Sequence, residues 1–180
     1  ASRVDTRGLH PLWTTALVYG ACVLVVSVWK RGGVWLDMRH GSLWLIALGS
    51  GLTNACFNWA ATTGDVVRVV LLFYLMPVWA VLLARLILGE RFTLSSLLRV
   101  AMAMVGAAIV LGVSTDGLSL PRTLPDLLAI VGGAAFAFNN VMLRYASQRS
   151  ESSRTLAMFF GGAVLATLAG CSTFNQKLES

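Results

Sequence analysis

Four polar residues at four-residue intervals, Ser50, Asn54, Asn58 and Thr62, interrupt one long apolar run of this 180-residue chain, and two adjacent asparagines, Asn139 and Asn140, interrupt another. At 3.6 residues per turn the first four share one face of a helix, with Gly51 beside them. An amide in apolar surroundings is costly unless it is hydrogen-bonded. The stripe must therefore meet a second helix or a watery cavity. Two readings stand: hydrogen bonds between helices, or the lining of a substrate pathway. Asn139 and Asn140 admit the same two, and a polar central cavity would require amides on two helices.

Pro77 falls midway along a third run. Lacking an N–H, it deprives the Phe73 carbonyl of its helical donor and kinks the helix. The kink is either a passive bend or a hinge where freed backbone meets substrate. Tyr74 and Trp79, close by, could add amphipathic contacts. Arg68 lies about one turn inside one end of the same run, where a guanidinium snorkels to the interface or attracts an anionic substrate. The carboxylates argue by absence. Asp5, Asp37, Asp65, Glu90, Asp116, Asp126, Glu151 and Glu179 all fall in loops or at the ends of apolar runs, and His10 and His40 fall in loops. No ionisable relay is expected at mid-depth. Enzyme chemistry finds no footing: there is no H-E-x-x-H, G-x-S-x-G or phosphate-binding loop. No metal or cofactor is expected, and Cys22, Cys56 and Cys171 sit singly, as small buried hydrophobes.

The elements that must carry these residues are set by composition. The hydrophobic share is 57% and the charged share 12%, against roughly 25% charged in soluble domains, and the mean hydropathy is +0.74. The apolar residues gather in runs at 12–29, 43–63, 66–88, 97–113, 127–146 and 155–171. Each is about the length an α-helix needs to cross a hydrocarbon core of roughly 30 Å. None alternates as barrel strands would. The expected fold is all-α, a polytopic bundle of six transmembrane helices. Lys30, Arg31, Arg39, Arg91, Arg149 and Arg154 lie in alternate polar segments, with Arg85, Arg99 and Arg144 near the same ends. This excess marks loops 30–42, 89–96 and 147–154 as cytoplasmic. It also accounts for the net charge of +6 without a nucleic-acid partner, which would need a basic stripe on a soluble surface. The expected partners are a lipid bilayer and an unknown small molecule, with a homodimer left open.

On this topology the N-terminal tail faces outward with no signal segment in residues 1–11, and the run 155–171 barely spans. The chain is therefore expected to be a fragment of a protein nearer ten helices. Two residues, Gly64 and Asp65, turn the second run into the third as an antiparallel hairpin. The loop 114–126, with Gly117, Pro121 and Pro125, is the expected boundary between two halves. Small residues four apart, Ala16 with Gly20, Ala103 with Ala107, Ala108 with Gly112, and Gly162 with Ala166 and Gly170, are expected to let helices approach closely.

The stretch from Leu72 to Arg91, LFYLMPVWAVLLARLILGER, followed by Gly106 to Gly112, GAAIVLG, resembles the conserved block of EamA-type transporters in the drug/metabolite transporter superfamily. There a helix with a central proline ends at a cytoplasmic Gly-Glu, and the next helix carries a late glycine. Pro77, Gly89, Glu90 and Gly106 occupy those positions; Arg99 stands where a further glycine is usual. The likeness runs loosely over residues 12–171 and specifically over 72–112. It implies ten helices in two inverted five-helix repeats, the six runs here being helices two to seven. On that scheme residues 1–113 are a first repeat without its first helix, 114–126 joins the repeats, and 127–180 begins the second. The resemblance further implies an inner-membrane carrier of small metabolites or drugs, often exported, working by alternating access. Glu90 is read there as structural, at a short turn. The rival readings are a membrane-embedded subunit or sensor without transport, and a piece of an integral membrane enzyme.

Overall fold

The described part of each apolar run folds as helix, because a backbone surrounded by hydrocarbon must satisfy its own N–H and C=O groups. The computed structural model describes residues 11–30, 34–91, 93–110 and 123–178. Among them the chain is all-α. In order come α1 (Pro11–Trp29), a one-turn α2 (Val34–Asp37), α3 (Gly41–Thr63), α4 (Val66–Phe73), α5 (Met76–Leu88), α6 (Leu94–Val110), α7 (Leu124–Tyr145) and α8 (Glu151–Leu178). Three segments are long and apolar enough to cross a membrane: Val66–Leu88, which is α4 continued by α5, then Leu124–Tyr145 and Glu151–Cys171. Ala16–Trp29 is an apolar stretch of the 19-residue α1. Among the described residues, then, three of the six expected spans are long and apolar enough. α3 has the length, 23 residues, but its amides and hydroxyls lower its hydropathy. α6 has 17 residues.

Helix ends differ from the apolar boundaries for one reason: caps are polar. α7 begins at Leu124, not 127, because Thr123 is its N-cap and the Asp126 carboxylate accepts the Thr123 N–H at 3.2 Å. Residues 123–126, read as loop, are thus the cap and first turn of α7; the rest of that loop lies outside the described residues, as does the N-terminal tail. α8 starts at Glu151, four residues before the apolar run, where the Ser150 hydroxyl accepts the Ser153 N–H at 3.1 Å. It continues to Leu178, beyond the apolar run that ends at 171.

α3 is the hub. α7 packs along one side of it and α8 along another; α1 lies on α8, α4 and α5 lie on α7, and α6 touches α5. The closest approach is α3 on α8. A Cβ on Gly51 would sit 2.5 Å from the Gly161 carbonyl oxygen, and one on Gly161 would overlap the Ala47 carbonyl. Gly162 is equally tight against the Tyr19 ring. With lipid as solvent, such backbone proximity supplies the dispersion contacts that hold helices together. Of the small residues expected at contacts, Gly162, Ala166 and Gly170 are buried on α8, whereas Gly20 has nothing within 4 Å and Ala103 is exposed. Larger side chains fill the remainder, with Leu43, Ile46, Met142 and Leu156 in one cluster and Ala60, Val69 and Ala129 in another. Leu97, Leu98, Met102, Val105 and Ile109 of α6 face outward, as do Leu17, Leu24, Val25 and Val28 of α1, the surface a bilayer would cover.

Contacts at the helix ends sort the connections into two groups. Glu90 with Arg144, Asp37 with Ser153, and His40 with Arg149 at 3.1 Å bring residues 37–40, Glu90 and residues 144–153 to one end of the bundle. Gly64 against Pro125, and Arg68 with Asp126, gather the hairpin turn and the start of α7 at the other.

Candidate functional site

The stripe on α3 forms a ladder. Asn54 Nδ2 donates to the Ser50 carbonyl at 2.9 Å, Asn58 Nδ2 to the Asn54 carbonyl at 2.8 Å, and Thr62 Oγ1 to the Asn58 carbonyl at 2.9 Å. Short polar side chains inside a helix back-bond in this way to the carbonyl one turn earlier. Two rungs also reach across. The Ser50 hydroxyl donates to the Met158 carbonyl of α8 at 2.9 Å, and the Tyr19 hydroxyl of α1 donates to Asn54 Oδ1 at 3.2 Å. The Tyr19 ring meets Phe159 edge-on, centroids 5.3 Å apart. The stripe therefore lies at the junction of α1, α3 and α8. Ser50 is buried, Asn54 and Asn58 are half-buried, and Thr62 is exposed.

Asn139 belongs to a different face. Its Cβ lies against Gly49 of α3, where an added Cβ would stand 3.1 Å away. Asn139 is 3% exposed, and its Oδ1 has no hydrogen-bond partner among the described residues. Asn140 points outward and donates to the Phe136 carbonyl of its own helix at 2.9 Å. Gly49 and Ser50 are about 100° apart around α3. The α3 stripe and the α7 asparagines thus do not line one common cavity in this conformation.

Proline acts on backbone as its chemistry requires. Helix breaks off at Phe73, Tyr74 and Leu75 form a turn, and helix resumes at Met76 with Pro77 in its first turn. The Phe73 carbonyl, which Pro77 cannot serve, lies against α7: a Cβ on Gly133 would come within 2.8 Å of its oxygen. Only glycine leaves that approach open. The Phe73 ring stacks obliquely between Phe57, at 4.8 Å, and Phe136, at 5.8 Å. Tyr74 is exposed beside the break.

Arg68 does not simply snorkel. Its Nε donates to Asp126 Oδ1 at 2.8 Å, and Asp126 is 2% exposed. That corrects the placing of this carboxylate in a loop: it is a buried residue of α7, although in its first turn and not at mid-depth. The signal was present in the Thr-x-x-Asp spacing that opens α7. Nothing in the sequence pointed to Tyr19 as the partner of Asn54. At the opposite end Gly89 closes α5 with φ 69° and ψ 17°, the left-handed region that glycine enters without penalty. Glu90, next along, is ion-paired with Arg144 of α7. Gly106 has no neighbour within 4 Å among the described residues. Among the cysteines Cys56 is buried, whereas Cys171 is exposed, against the expectation for the latter. No group of His, Cys, Asp or Glu able to hold a metal occurs among the described residues. An apolar hollow of about 530 Å³ lies between α5 and α6, lined by Val78, Val81, Leu82, Thr93, Leu94, Leu97 and Val100.

In comparisons with known proteins, the model of the EamA-like transporter family matches residues 1–112. No curated protein and no solved structure matches the chain.

Proposed function

Because the chain belongs to the EamA-like transporter family, a family of membrane transporters and not of enzymes, we propose that it exports a small metabolite or drug across the inner membrane by alternating access. The observation that supports the mechanism is the contact of α4 and α5 with α7. The helices of that contact run in the same direction. An ion pair closes each end, Arg68–Asp126 at one and Glu90–Arg144 at the other. Midway, the helix is broken at residues 74–75 and slides past Gly133 with no side chain between. A rocking motion about that midpoint parts one ion pair while keeping the other, which is what exposing a central site to one side at a time requires.

In this reading the end holding Glu90 and Arg144, where lysine and arginine are in excess, is cytoplasmic. α1 to α6 supply most of a first repeat, and α7 and α8 begin a second. The polar face of α3 with Tyr19, the break at Pro77 with Tyr74, and Asn139 and Asn140 border the pathway once the helices part, and the exported molecule leaves past Arg68, at the end opposite Glu90. The test is metabolite profiling of cells with and without the gene. A compound that accumulates inside cells lacking the gene, and whose release from loaded vesicles requires the full-length protein, supports export. Identical profiles together with vesicles that release nothing would overturn it.

A further inference from the structure

The hollow between α5 and α6 takes no part in the proposed pathway. On α5 its lining residues, Val78, Val81 and Leu82, fall on one side of the helix. Leu83, Ala84 and Ile87 fall on the opposite side and pack into the core. The α6 wall is turned outward as well, with Leu94 83% and Leu97 63% exposed. In a bilayer the hollow therefore opens to lipid and not to the interior of the bundle. Among the described lining residues only Thr93, just before α6, is polar.

Positive charge gathers at one end of it. Arg85 follows Val81 by four residues, so it continues the lining face of α5 by one turn toward the end of the bundle that holds Glu90. Arg91 stands in the turn between the two helices, and both arginines are exposed. Between positions 85 and 99 the chain carries three arginines and one acid, Glu90, which Arg144 already engages. A hollow that is apolar along its length and cationic at one end suits an amphiphile whose head is an anion. The volume agrees. An acyl chain of about sixteen carbons, at roughly the 30 Å³ each that a water takes in the liquid, fills about 480 Å³, against about 530 Å³ in the hollow.

We propose that this hollow binds an anionic phospholipid from the bilayer leaflet on the Glu90 side, one acyl chain lying between α5 and α6 and the phosphate between Arg85 and Arg91. Basic pockets between transmembrane helices hold anionic head groups in this manner, and a guanidinium meets phosphate with two parallel N–H donors. Arg85 already engages another residue of the chain; its five N–H donors can serve both. The acyl chain only exchanges one apolar medium for another, so it gains packing but little hydrophobic energy. Head-group charge therefore decides which lipid is held. A zwitterionic head brings an ammonium to the same two arginines and loses the advantage. The proposal rests on the bundle lying in a bilayer and not on what the protein transports.

The test presents the purified full-length protein, in maltoside micelles, with palmitoyl-oleoyl phosphatidylglycerol or the matching phosphatidylcholine and counts retained lipid by native mass spectrometry. Phosphatidylglycerol should be retained in preference. Arg85→Gln and Arg91→Gln should each cut that preference about fivefold, the worth of one arginine near an anionic surface. Leu97→Trp, at an exposed position, puts an indole where the acyl chain would lie and should abolish the preference. Glycerol phosphate, which has the anionic head without the chain, should not displace the lipid. Equal retention of the two lipids, arginine variants that keep the preference of the parent, or displacement by glycerol phosphate would overturn the proposal. So would a change between monomer and dimer on Leu97→Trp with lipid retention unaltered, which would give the hollow to a second copy of the chain. If an arginine variant fails to fold, the two lipids and Leu97→Trp decide the matter. Export from vesicles does not enter this readout, so a failure of the lipid site leaves the transport reading standing, and the reverse holds too.

Discussion

Replacing Arg68 by glutamine tests whether the pair with Asp126 holds the α4–α7 contact together. Breaking a fully buried ion pair from one side destabilises by about 3–5 kcal/mol, because a charge is left without compensation. Here the carboxylate side chain is 3% exposed but the arginine side chain 31%. Solvent screening of the arginine lowers the expectation to about 2–3 kcal/mol. That corresponds to a loss of about 30- to 150-fold in the ratio of folded to unfolded protein. Asp126→Asn leaves the partly hydrated Arg68 and keeps an oxygen for the Thr123 N–H, so about 1 kcal/mol is expected. The double variant, with both charges gone, should lose less than the sum of the two by about 1 kcal/mol or more. Unfolding by dodecyl sulfate in maltoside micelles, followed by tryptophan fluorescence, gives the three differences. A coupling energy below about 0.3 kcal/mol, within the additivity of distant sites, would refute the claim that the ion pair joins these helices.

Three further outcomes are expected. Asn58→Leu removes a side chain whose amide bonds its own helix at 2.8 Å; stability should change by less than about 1 kcal/mol and membrane insertion should persist, while export by the full-length protein is lost. Unaltered export would reduce the stripe to packing. Gly161→Val drives side-chain atoms into the Ala47 carbonyl and should destabilise by more than the 1–3 kcal/mol or so of ordinary overpacking, since backbone cannot yield as a side chain does; an unfolding midpoint equal to the parent's would contradict the close α3–α8 crossing. Pro77→Ala restores a donor to the Phe73 carbonyl and should raise thermal stability by about 1 kcal/mol or more while slowing export. A faster rate in vesicles would speak against a hinge at residues 74–75.

The helices, the hairpin turn at Gly64 and Asp65 and the grouping of loops at two ends were legible in the sequence, because each follows from local rules. A backbone in hydrocarbon satisfies itself only by coiling, and a run of apolar residues records that demand in one dimension. The break at Pro77 and the left-handed closure at Gly89 are equally local, set by a missing N–H and a missing Cβ. What hydropathy blurred were the ends, since Thr123, Asp126, Ser150 and Glu151 look like loop and serve as caps and first turns.

Only the tertiary structure decided which polar groups meet. Ser50 finds the Met158 carbonyl 108 residues away, and Arg68 finds Asp126 58 residues away. The stripe on α3 turned out to face α8 and α1, while Asn139 faces α3 from α7 and keeps an unpaired oxygen. Helical periodicity tells which residues share a face but not the direction in which that face points. That direction depends on how each helix is rotated and slid against its neighbours. Here it is fixed by backbone-close crossings such as Gly51 on Gly161 and Gly133 on Phe73, whose partners lie far apart along the chain.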